Sequence, residues 1–436
     1  MTDDASNVTR RRFVAGAGAA VAAPMILTGR PWAMAQPAAA GGAEVEANDS
    51  IPIALIGAGI RGRNMLRNAY LRDDNFRVVA VCDVDTTRRE HYQNFVNEHY
   101  GNEDCAAYID FHELLAREDL DAVVIATPDH WHANMILHAC NAGKDIYCEK
   151  PLTLSLHEGK TVIEAVRKHN IVFQTGSQQR TEFGHKFVRA CELVRSGKIG
   201  EVMSVNVGVR EAPVWCELPE EAMEPGLDWD RWQGPVAARP YNSELSPRGV
   251  HNHYPRWRAY RDYCGGYLAD MGAHHFDIAQ WGLGKDGTGP VRIVPPQNPG
   301  QKHGAELVYA DGVRLIHGGL SGTTFVGQNG VLAVDRGRIN SVPGNILDTE
   351  LGENDTTLPR HSGHANNWAD CIHSREDPIC SVEGGAGSAA ICQLMNIAYF
   401  LGKEVGWDPE NWRFDDEEAN ALMDYERREG YELPTF

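Results

Sequence analysis

The chain has 436 residues, of which 42% are hydrophobic and 23% are charged, and its formal net charge is −19. Its length favours two domains, and its composition is typical of a globular protein with a sizeable core. The negative charge argues against nucleic acids and anionic membranes as partners, because both attract basic surfaces. Beyond residue 35 no stretch holds 18 uninterrupted apolar residues, so we expect no internal membrane span.

Residues 1–35 have the pattern of a twin-arginine export signal. Arg10-Arg11-Arg12-Phe13 precedes a weakly hydrophobic run at 14–27, and Ala33-Met34-Ala35 offers a small-x-small cleavage site. A disordered basic tail is the alternative. Export predicts a periplasmic or secreted protein, with residues 36–49 as a linker or arm. Because this route carries folded proteins, the ten cysteines need not form disulfides, and their state stays open.

A strand, a tight turn and a helix are predicted from residue 51, with Gly57, Gly59 and Gly62 at the turn. This is the G-x-G-x-x-G spacing of a dinucleotide site. One glycine makes the turn, one lets the backbone approach a pyrophosphate, and one lets the helix pack on the strand. Ile60 and Arg61 lie between the last two glycines and belong to the same predicted site. The motif alone is weak, because the chain has 44 glycines.

Strand and helix patterns alternate up to residue 175 and then change. Strands are predicted at 51–56, 76–82, 122–126, 145–148 and 171–175, with helices at 87–98, 111–116, 132–142 and 161–168. This rhythm predicts a Rossmann-type parallel sheet over residues 50–175. A helix at 183–196, a strand at 201–210 and an irregular segment at 212–258 follow. Short strands and two closing helices then predict a second α/β domain, 176–436, with a mostly antiparallel sheet; the strands are at 291–294, 305–309, 313–317, 323–327 and 331–335, and the helices at 362–373 and 384–401.

Asp83 ends the second predicted strand, 21 residues after Gly62. A carboxylate at this position can accept hydrogen bonds from both ribose hydroxyls, and its charge repels a 2′-phosphate. Asp83 therefore favours NAD over NADP as the cofactor. A helix or turn cap is the alternative role for this side chain.

Two further predicted strands end in polar motifs at the same edge of the sheet. Thr127 and Pro128 follow one strand and are expected beside the nicotinamide, with His130 and His132 in the first helical turn as ligands or packing residues. Glu149-Lys150-Pro151 follows the next strand. A lysine there can stabilise a developing alkoxide, although surface charge is the usual reason for such a motif. Pro151 is a candidate for a cis peptide bond.

Asp270 and His274 are four residues apart, so on a helix they share one face. A carboxylate can orient an imidazole and set its tautomer, as general-base catalysis requires. An aspartate cap with a packed histidine is the alternative.

Taken in order, these motifs resemble the Gfo/Idh/MocA oxidoreductase family over roughly residues 50–405. The resemblance implies a Rossmann domain followed by an α/β domain with an open, mostly antiparallel sheet through which members form homodimers or homotetramers. It implies that Lys150 is the catalytic lysine, that Asp270 and His274 are the pair in the substrate domain, and that Gln178 and Arg180 meet cofactor or substrate. The export signal resembles that of an exported subgroup, in which the cofactor is bound before translocation.

The resulting hypothesis is an exported NAD-dependent oxidoreductase that acts on a carbinol of a sugar, polyol or glycoside, with a tightly bound, internally recycled cofactor. Either His274 or Lys150 is the base. An NAD-dependent glycosidase that oxidises C3 transiently is one alternative, and a sugar-binding protein that retains cofactor without catalysis is another. The spacing of His251, His253, His274 and His275 permits a metal site, but solvated loop histidines are common and no metal is predicted. The remaining predicted substrate contacts are His130, Arg180, Tyr254, Trp257 and His275.

Overall fold

The computed structural model describes residues 50–436. The predicted export signal and arm therefore lie outside the described residues. None of the helices between residues 50 and 436 has the length and apolar character needed to cross a membrane. All ten cysteines lie in the described part, where each is buried as a free thiol.

The first half of the described chain folds around a six-stranded parallel sheet. In chain order its strands are β1 (Ile51–Ile56), β2 (Phe76–Cys82), β3 (Ala106–Tyr108), β4 (Ala122–Ile125), β5 (Asp145–Cys148) and β6 (Phe173–Thr175). Their spatial order is β3-β2-β1-β4-β5-β6, so successive strands are added on one side of β1 up to β3 and on its other side from β4. Ligands bind beyond the carboxyl ends of strands at such a switch point. The predicted Rossmann sheet is confirmed.

Helices cover both faces of this sheet. They are α1 (Ile60–Met65, continued by a wider turn to Tyr70), α2 (Thr86–Tyr100), α3 (Phe111–Leu115), α4 (His132–Asn141) and α5 (Leu156–Lys168). Buried apolar strand residues on one face pack with α4 and α5, and those on the other face pack with α1 and α2. Burial on both faces explains the nearly continuous apolar runs of the central strands.

The second half is built on an eight-stranded antiparallel sheet. Its strands are β7 (Val202–Gly208), β8 (Arg292–Val294), β9 (Glu306–Val308), β10 (Arg314–Gly327), β11 (Val331–Asp335), β12 (Arg338–Val342), β13 (Val405–Asp408) and β14 (Arg413–Phe414). The order is β12-β11-β10-β9-β8-β13-β14, with β7 paired to β10. The helices of this half are α6 (Lys186–Arg195), α7 (Trp229–Gln233), α8 (Gly266–Leu283), α9 (His364–Ser374), α10 (Val382–Leu401) and α11 (Glu417–Asn420). The predicted antiparallel sheet is confirmed.

One strand of this sheet differs from its prediction. The predicted strands 313–317 and 323–327 are the two halves of the single strand β10. Gly318 and Gly319 both have positive φ, so the backbone bends between the halves without ending the pairing to β7. Glycine adopts this conformation at no steric cost.

The irregular segment 212–262 forms a small core of its own against the Rossmann half. Trp229 and Trp232 stack at 4.6 Å between ring centroids, and Tyr263 packs on Trp232 at 5.3 Å. The segment is bound to the Rossmann half by the hydrogen bond from the Thr86 N–H to the Gly226 carbonyl, 2.9 Å long. It therefore covers the carboxyl edge of the parallel sheet.

Candidate active site

The glycine turn after β1 shows three different steric environments. Gly57 has φ of +96°, and a Cβ there would lie 2.8 Å from the backbone of Ala126 and Thr127. A Cβ on Gly62 would lie 2.3 Å from the Gly57 carbonyl oxygen, so the first turn of α1 packs directly on the loop. A Cβ on Gly59 would meet nothing within 4 Å. Gly59 thus leaves open the space that a pyrophosphate needs beside the first N–H groups of α1.

A cavity of about 320 Å³ extends from this turn along the carboxyl edge of the sheet. Gly57, Gly59, Ile60 and Asp83 line it. The Asp83 carboxylate accepts hydrogen bonds from the N–H groups of Ala58, at 2.7 Å, and Asp85, at 2.8 Å. Burial raises the pKa of this carboxyl. Asp83 is thus held at the cavity wall with lone pairs left for ribose hydroxyls, and the residues present fit a dinucleotide.

A second cavity, of about 630 Å³, adjoins the first. Arg61, Thr127 and Trp257 line both cavities, so the two spaces meet at the end of β4. Tyr254 lines the second cavity, as its predicted substrate role requires, and Pro128 lines the first. This junction is the place where a nicotinamide bound along the first cavity would meet a molecule in the second.

Lys150, Asp270 and His274 all line the second cavity. The Lys150 Nζ atom donates to Asp270 Oδ1 at 2.9 Å and to the Asp270 carbonyl at 2.7 Å. Arg258 Nε lies 3.4 Å from the same carboxylate oxygen. Burial alone would raise the pKa of Asp270, but the charges of Lys150 and Arg258 outweigh it and lower that pKa. Asp270 is therefore an ionised anchor for the lysine.

The predicted pairing of Asp270 with His274 is absent. Lys150 and Arg258 occupy the carboxylate, and the buried Nδ1 atom of His274 has no hydrogen-bond partner among residues 50–436. Burial lowers the pKa of His274 well below 6.5, and the nearby charges of Lys150 and Arg336 lower it further. His274 therefore presents a neutral imidazole in the cavity, able to accept a proton without an orienting carboxylate.

A network around Glu149 holds the wall between the two cavities. Glu149 Oε1 accepts from Arg61 Nη2 at 2.7 Å and from Gln178 Nε2 at 2.9 Å. Burial would raise the pKa of Glu149, but the Arg61 charge lowers it overall. A Cβ on Gly176 would lie 2.8 Å from the same oxygen, so the backbone makes room for this carboxylate. Gln178 thus holds Glu149, and Glu149 holds Arg61. The ion pair between Arg61 and Glu149 spans 88 residues, so no local sequence pattern indicates it.

Three predicted substrate contacts lie outside the wall of either cavity. Arg180 is buried and donates to both Asp277, at 2.7 Å, and Asp286, at 2.7 Å. His275 follows His274 on α8 but projects towards the sheet, where its Nδ1 lies 3.3 Å from Thr323 Oγ1. His130 is buried with its Nε2 atom 3.0 Å from the Trp232 carbonyl. The structure therefore does not bring Arg180, His275 and His130 to either cavity, because each is held by partners in the interior.

His132 also lies behind the cavity wall, so the structure does not bring it to the predicted cofactor contact. Its ring nitrogens lie 2.8 Å from the Pro151 carbonyl and 3.0 Å from the Thr127 carbonyl. The ring thereby joins the ends of β4 and β5, next to the cis peptide bond between Lys150 and Pro151. His132 positions Thr127 and Lys150 by fixing the backbone on which they stand.

The four histidines whose spacing permits a metal site do not come together. His251 and His253 lie 4.8 Å apart between ring centroids in segment 212–262, whereas His274 and His275 stand on α8. Between residues 50 and 436 no group of three or more histidine, cysteine, aspartate or glutamate side chains is placed to bind an ion.

We expect the acid limb of the kcat/KM profile to lie below pH 6.5. His274 has a lowered pKa, so it stays neutral through neutral pH and is protonated only as the pH falls through that lower value. Activity that needs the neutral imidazole is then lost at low pH alone. The profile of the cofactor-loaded protein measures this, and His274→Gln should lack that limb. A limb centred at or above pH 6.5 would assign the proton acceptor to another group.

Two family models match the chain. The model of the oxidoreductase family's NAD-binding Rossmann fold matches residues 51–177. The model of the family's C-terminal alpha/beta domain matches residues 189–433. The chain therefore belongs to the Gfo/Idh/MocA oxidoreductase family. The predicted family is confirmed.

Individual relatives match only part of the chain, at about 30% identity. The chain is 31% identical over 153 residues to inositol 2-dehydrogenase of Salmonella typhimurium, a match covering 35% of this chain and 44% of that protein. It is 29% identical over 206 residues to glycosyl hydrolase family 109 protein 2 of Shewanella sp. strain ANA-3, covering 46% and 42%. The chain spans about half the length, or less, of the curated relatives it matches.

The fold is also found in solved structures. Aldose-aldose oxidoreductase from Caulobacter crescentus, complexed with glycerol, superposes with a TM-score of 0.56 at 17% identity, covering 82% of this chain and 99% of that one. At this identity the likeness concerns the fold.

Proposed function

We propose that this protein is an exported NAD-dependent oxidoreductase acting on a carbinol of a sugar, polyol or glycoside. One observation carries the proposal: Lys150, Asp270 and His274 converge on a cavity that meets the glycine-turn cavity at Thr127. The name of the inositol dehydrogenase relative supports the substrate class. The predicted twin-arginine signal supports export.

The residues of the cavity have separate roles towards a bound hydroxyl group: one accepts its proton, one stabilises the charge on its oxygen, and one positions the second. NAD, when bound, supplies a hydride acceptor, and Gly57, Gly59 and Asp83 would hold it. The neutral His274 imidazole accepts the hydroxyl proton, and the Lys150 ammonium stabilises the developing charge on the oxygen. Asp270 holds Lys150 in place at 2.9 Å. In the reverse direction His274 returns the proton to the oxygen. The structure thus favours His274 as the base and Lys150 as the electrostatic partner.

Asp83 is the basis for proposing NAD rather than NADP. Replacing Asp83 with Ser removes the charge facing the ribose, so we expect the preference for NAD to fall on the order of 100-fold, because like charges in contact cost several kcal/mol. Asp83→Asn is the matched variant, since it keeps a side-chain oxygen for the Ala58 N–H. Titration of cofactor-free protein with both nucleotides measures the ratio. An unchanged ratio in both variants would place the discrimination elsewhere.

We propose further that the cofactor is bound tightly and recycled within the site. Arg63, at the start of α1, donates to Asn252 Oδ1 of segment 212–262 at 2.7 Å. The C-terminal residues lie against another part of the first cavity, where Tyr431 lines the wall. They are held there by Asn134 of α4, which donates to the Glu432 carbonyl at 3.2 Å. Release of the cofactor would require segment 212–262 or the C-terminal residues to move away from the cavity. Nucleotide released on denaturing protein purified without added NAD would measure retention.

A glycosidase is the second candidate, favoured by the similarity to the glycosyl hydrolase family 109 protein. The same residues would serve it, because transient oxidation at C3 makes the C2 proton acidic before the aglycone is eliminated. Incubation with nitrophenyl glycosides and no added cofactor separates the two. Nitrophenol release supports the glycosidase. Reduction of bound NAD by free sugars or polyols without such release supports the oxidoreductase. If neither nitrophenol release nor NAD reduction is observed, both candidates are contradicted.

Self-association as a homodimer or homotetramer is also part of the proposal. The face of the antiparallel sheet turned away from the helices is only half-buried along Ile316, Thr324 and Val326. Leu320 and Val342 are exposed by 67% and 70% of their surfaces. Apolar side chains on an open sheet favour a partner surface, and light scattering of the purified protein would give its mass.

A further inference from the structure

The second cavity carries more positive charge than the chain as a whole. Its wall holds five cationic side chains and four carboxylates, although the full chain has a net charge of −19; the cations are Arg61, Lys150, Arg210, Arg258 and Arg336, and the carboxylates are Asp129, Glu149, Glu182 and Asp270. Burial raises the pKa of Asp129, which weakens its negative contribution. A cleft that concentrates one sign of charge attracts ligands of the opposite sign.

The cations of this wall differ in whether they are already paired. Arg61 is bound by Glu149 at 2.7 Å, and Lys150 and Arg258 share Asp270. Arg336 and Arg210 form no ion pair with any carboxylate in residues 50–436. The paired cations are therefore accounted for by the protein itself, whereas these two arginines are available to a ligand.

Arg336 gives the stronger indication of a ligand. It stands at the turn between β11 and β12, with its guanidinium 5.1 Å from the Phe183 ring centroid. Its buried Nε atom has no hydrogen-bond partner in the part of the chain described. The charge of its neighbour Asp335 acts on Arg336, but that carboxylate accepts hydrogen bonds from Ser321 Oγ and from the Arg336 backbone N–H and not from the guanidinium. A buried N–H group without a partner costs free energy, which an anionic ligand oxygen at Nε would recover.

The location of Arg336 relates it to the reacting groups. Its positive charge lowers the pKa of His274, and the charge of Asp270 acts on Arg336 in return. Arg210, which follows β7, lies over the Tyr267 ring at 5.4 Å on the same cavity wall. Both arginines belong to the antiparallel half of the protein, apart from the glycine turn. Their placement suits the substrate side of the cavity.

We propose that the substrate is an anionic sugar or polyol, whose carboxylate or phosphate ester is bound by Arg336 and Arg210 while a carbinol lies against Lys150 and His274. This inference rests on the proposed oxidoreductase function and narrows its substrate class. Guanidinium groups bind carboxylate and phosphate through the same paired hydrogen bonds, so both sources are included.

Calorimetric titration of the cofactor-loaded full chain tests the proposal without requiring turnover. The probes are glucuronate, galacturonate, glucose 6-phosphate and their neutral parents glucose and galactose. We expect at least one anion to bind 10- to 100-fold more tightly than its neutral parent, as a charge-assisted pair provides. Arg336→Met should remove most of that difference. Arg338→Met is the matched control, because Arg338 lies on the same hairpin, exposed and outside the cavity.

The outcomes separate this inference from the proposed function. Equal affinity for anionic and neutral sugars, or an equal loss for both in Arg336→Met, overturns the anion site. Loss of bound nucleotide in Arg336→Met also overturns it, since the arginine would then serve the cofactor. Anion binding that depends on Arg336 without any reduction of NAD supports the site and contradicts the oxidoreductase. Oxidation of neutral sugars as readily as acidic ones leaves the oxidoreductase standing and removes the anion site.

Discussion

Replacing Lys150 with Met is expected to lower kcat by about 10²- to 10⁴-fold while leaving the bound nucleotide in place. Electrostatic stabilisation of a developing alkoxide and a positioned proton transfer each account for effects of this size. Lys150 is the ammonium that faces both Asp270 and the cavity, with its side chain only 12% exposed. The methionine keeps the length of the side chain and removes its charge, so the loss reports on the charge.

The local structure should tolerate this substitution. Asp270 keeps Arg258 as a counter-charge 3.4 Å away, so the variant does not leave a buried carboxylate alone. Lys160→Met is the matched control, because Lys160 lies on the exposed side of α5. Turnover and nucleotide content are measured on the same preparations. Unchanged turnover in Lys150→Met would remove Lys150 from the reaction, and a loss of nucleotide would instead make it a cofactor residue.

The parts of the site that sequence predicts are those set by local geometry. The glycine turn, Asp83 and Lys150 each follow directly from the end of a strand, and parallel strands bring their carboxyl ends to one edge. The positions of Gly57, Gly59 and Asp83 in the fold therefore follow once the strand pattern is recognised.

The parts that sequence does not predict depend on partners far away in the chain. Spacing places Asp270 and His274 on one helical face, yet a lysine 120 residues earlier takes the carboxylate. Arg61 is joined to Glu149 across 88 residues, and no local pattern indicates either pair. The family resemblance places Arg180 at cofactor or substrate, but two aspartates bind it in the interior. Which acid meets which base is decided by tertiary packing.

Short edge strands were missed for a related reason. The strand β12 (Arg338–Val342) alternates between exposed and half-buried residues and has no apolar run of its own. Its pairing with β11 rests on the two-residue turn at Arg336 and Gly337. That turn nevertheless brings Arg336 to the cavity, so an element with a weak sequence signal carries the residue on which the anion proposal depends.

Two alanine substitutions in the glycine turn should separate stability from cofactor binding. In Gly62→Ala the new Cβ would lie 2.3 Å from the Gly57 carbonyl oxygen, so the backbone must move. We expect the free energy of unfolding to fall by about 1–3 kcal/mol or more, as overpacking does. In Gly59→Ala the Cβ meets nothing within 4 Å and the backbone φ is −76°, which alanine adopts readily.

The Gly59→Ala protein should therefore fold with unchanged stability and yet bind NAD poorly. Its methyl group enters the cavity that Gly59 lines, where a pyrophosphate would approach the backbone. A clash of about 1–3 kcal/mol corresponds to roughly 10- to 100-fold weaker binding. Denaturant unfolding of cofactor-free protein and nucleotide titration of the same samples measure the two effects. If Gly59→Ala binds NAD as well as the unaltered protein, the pyrophosphate does not lie at this turn.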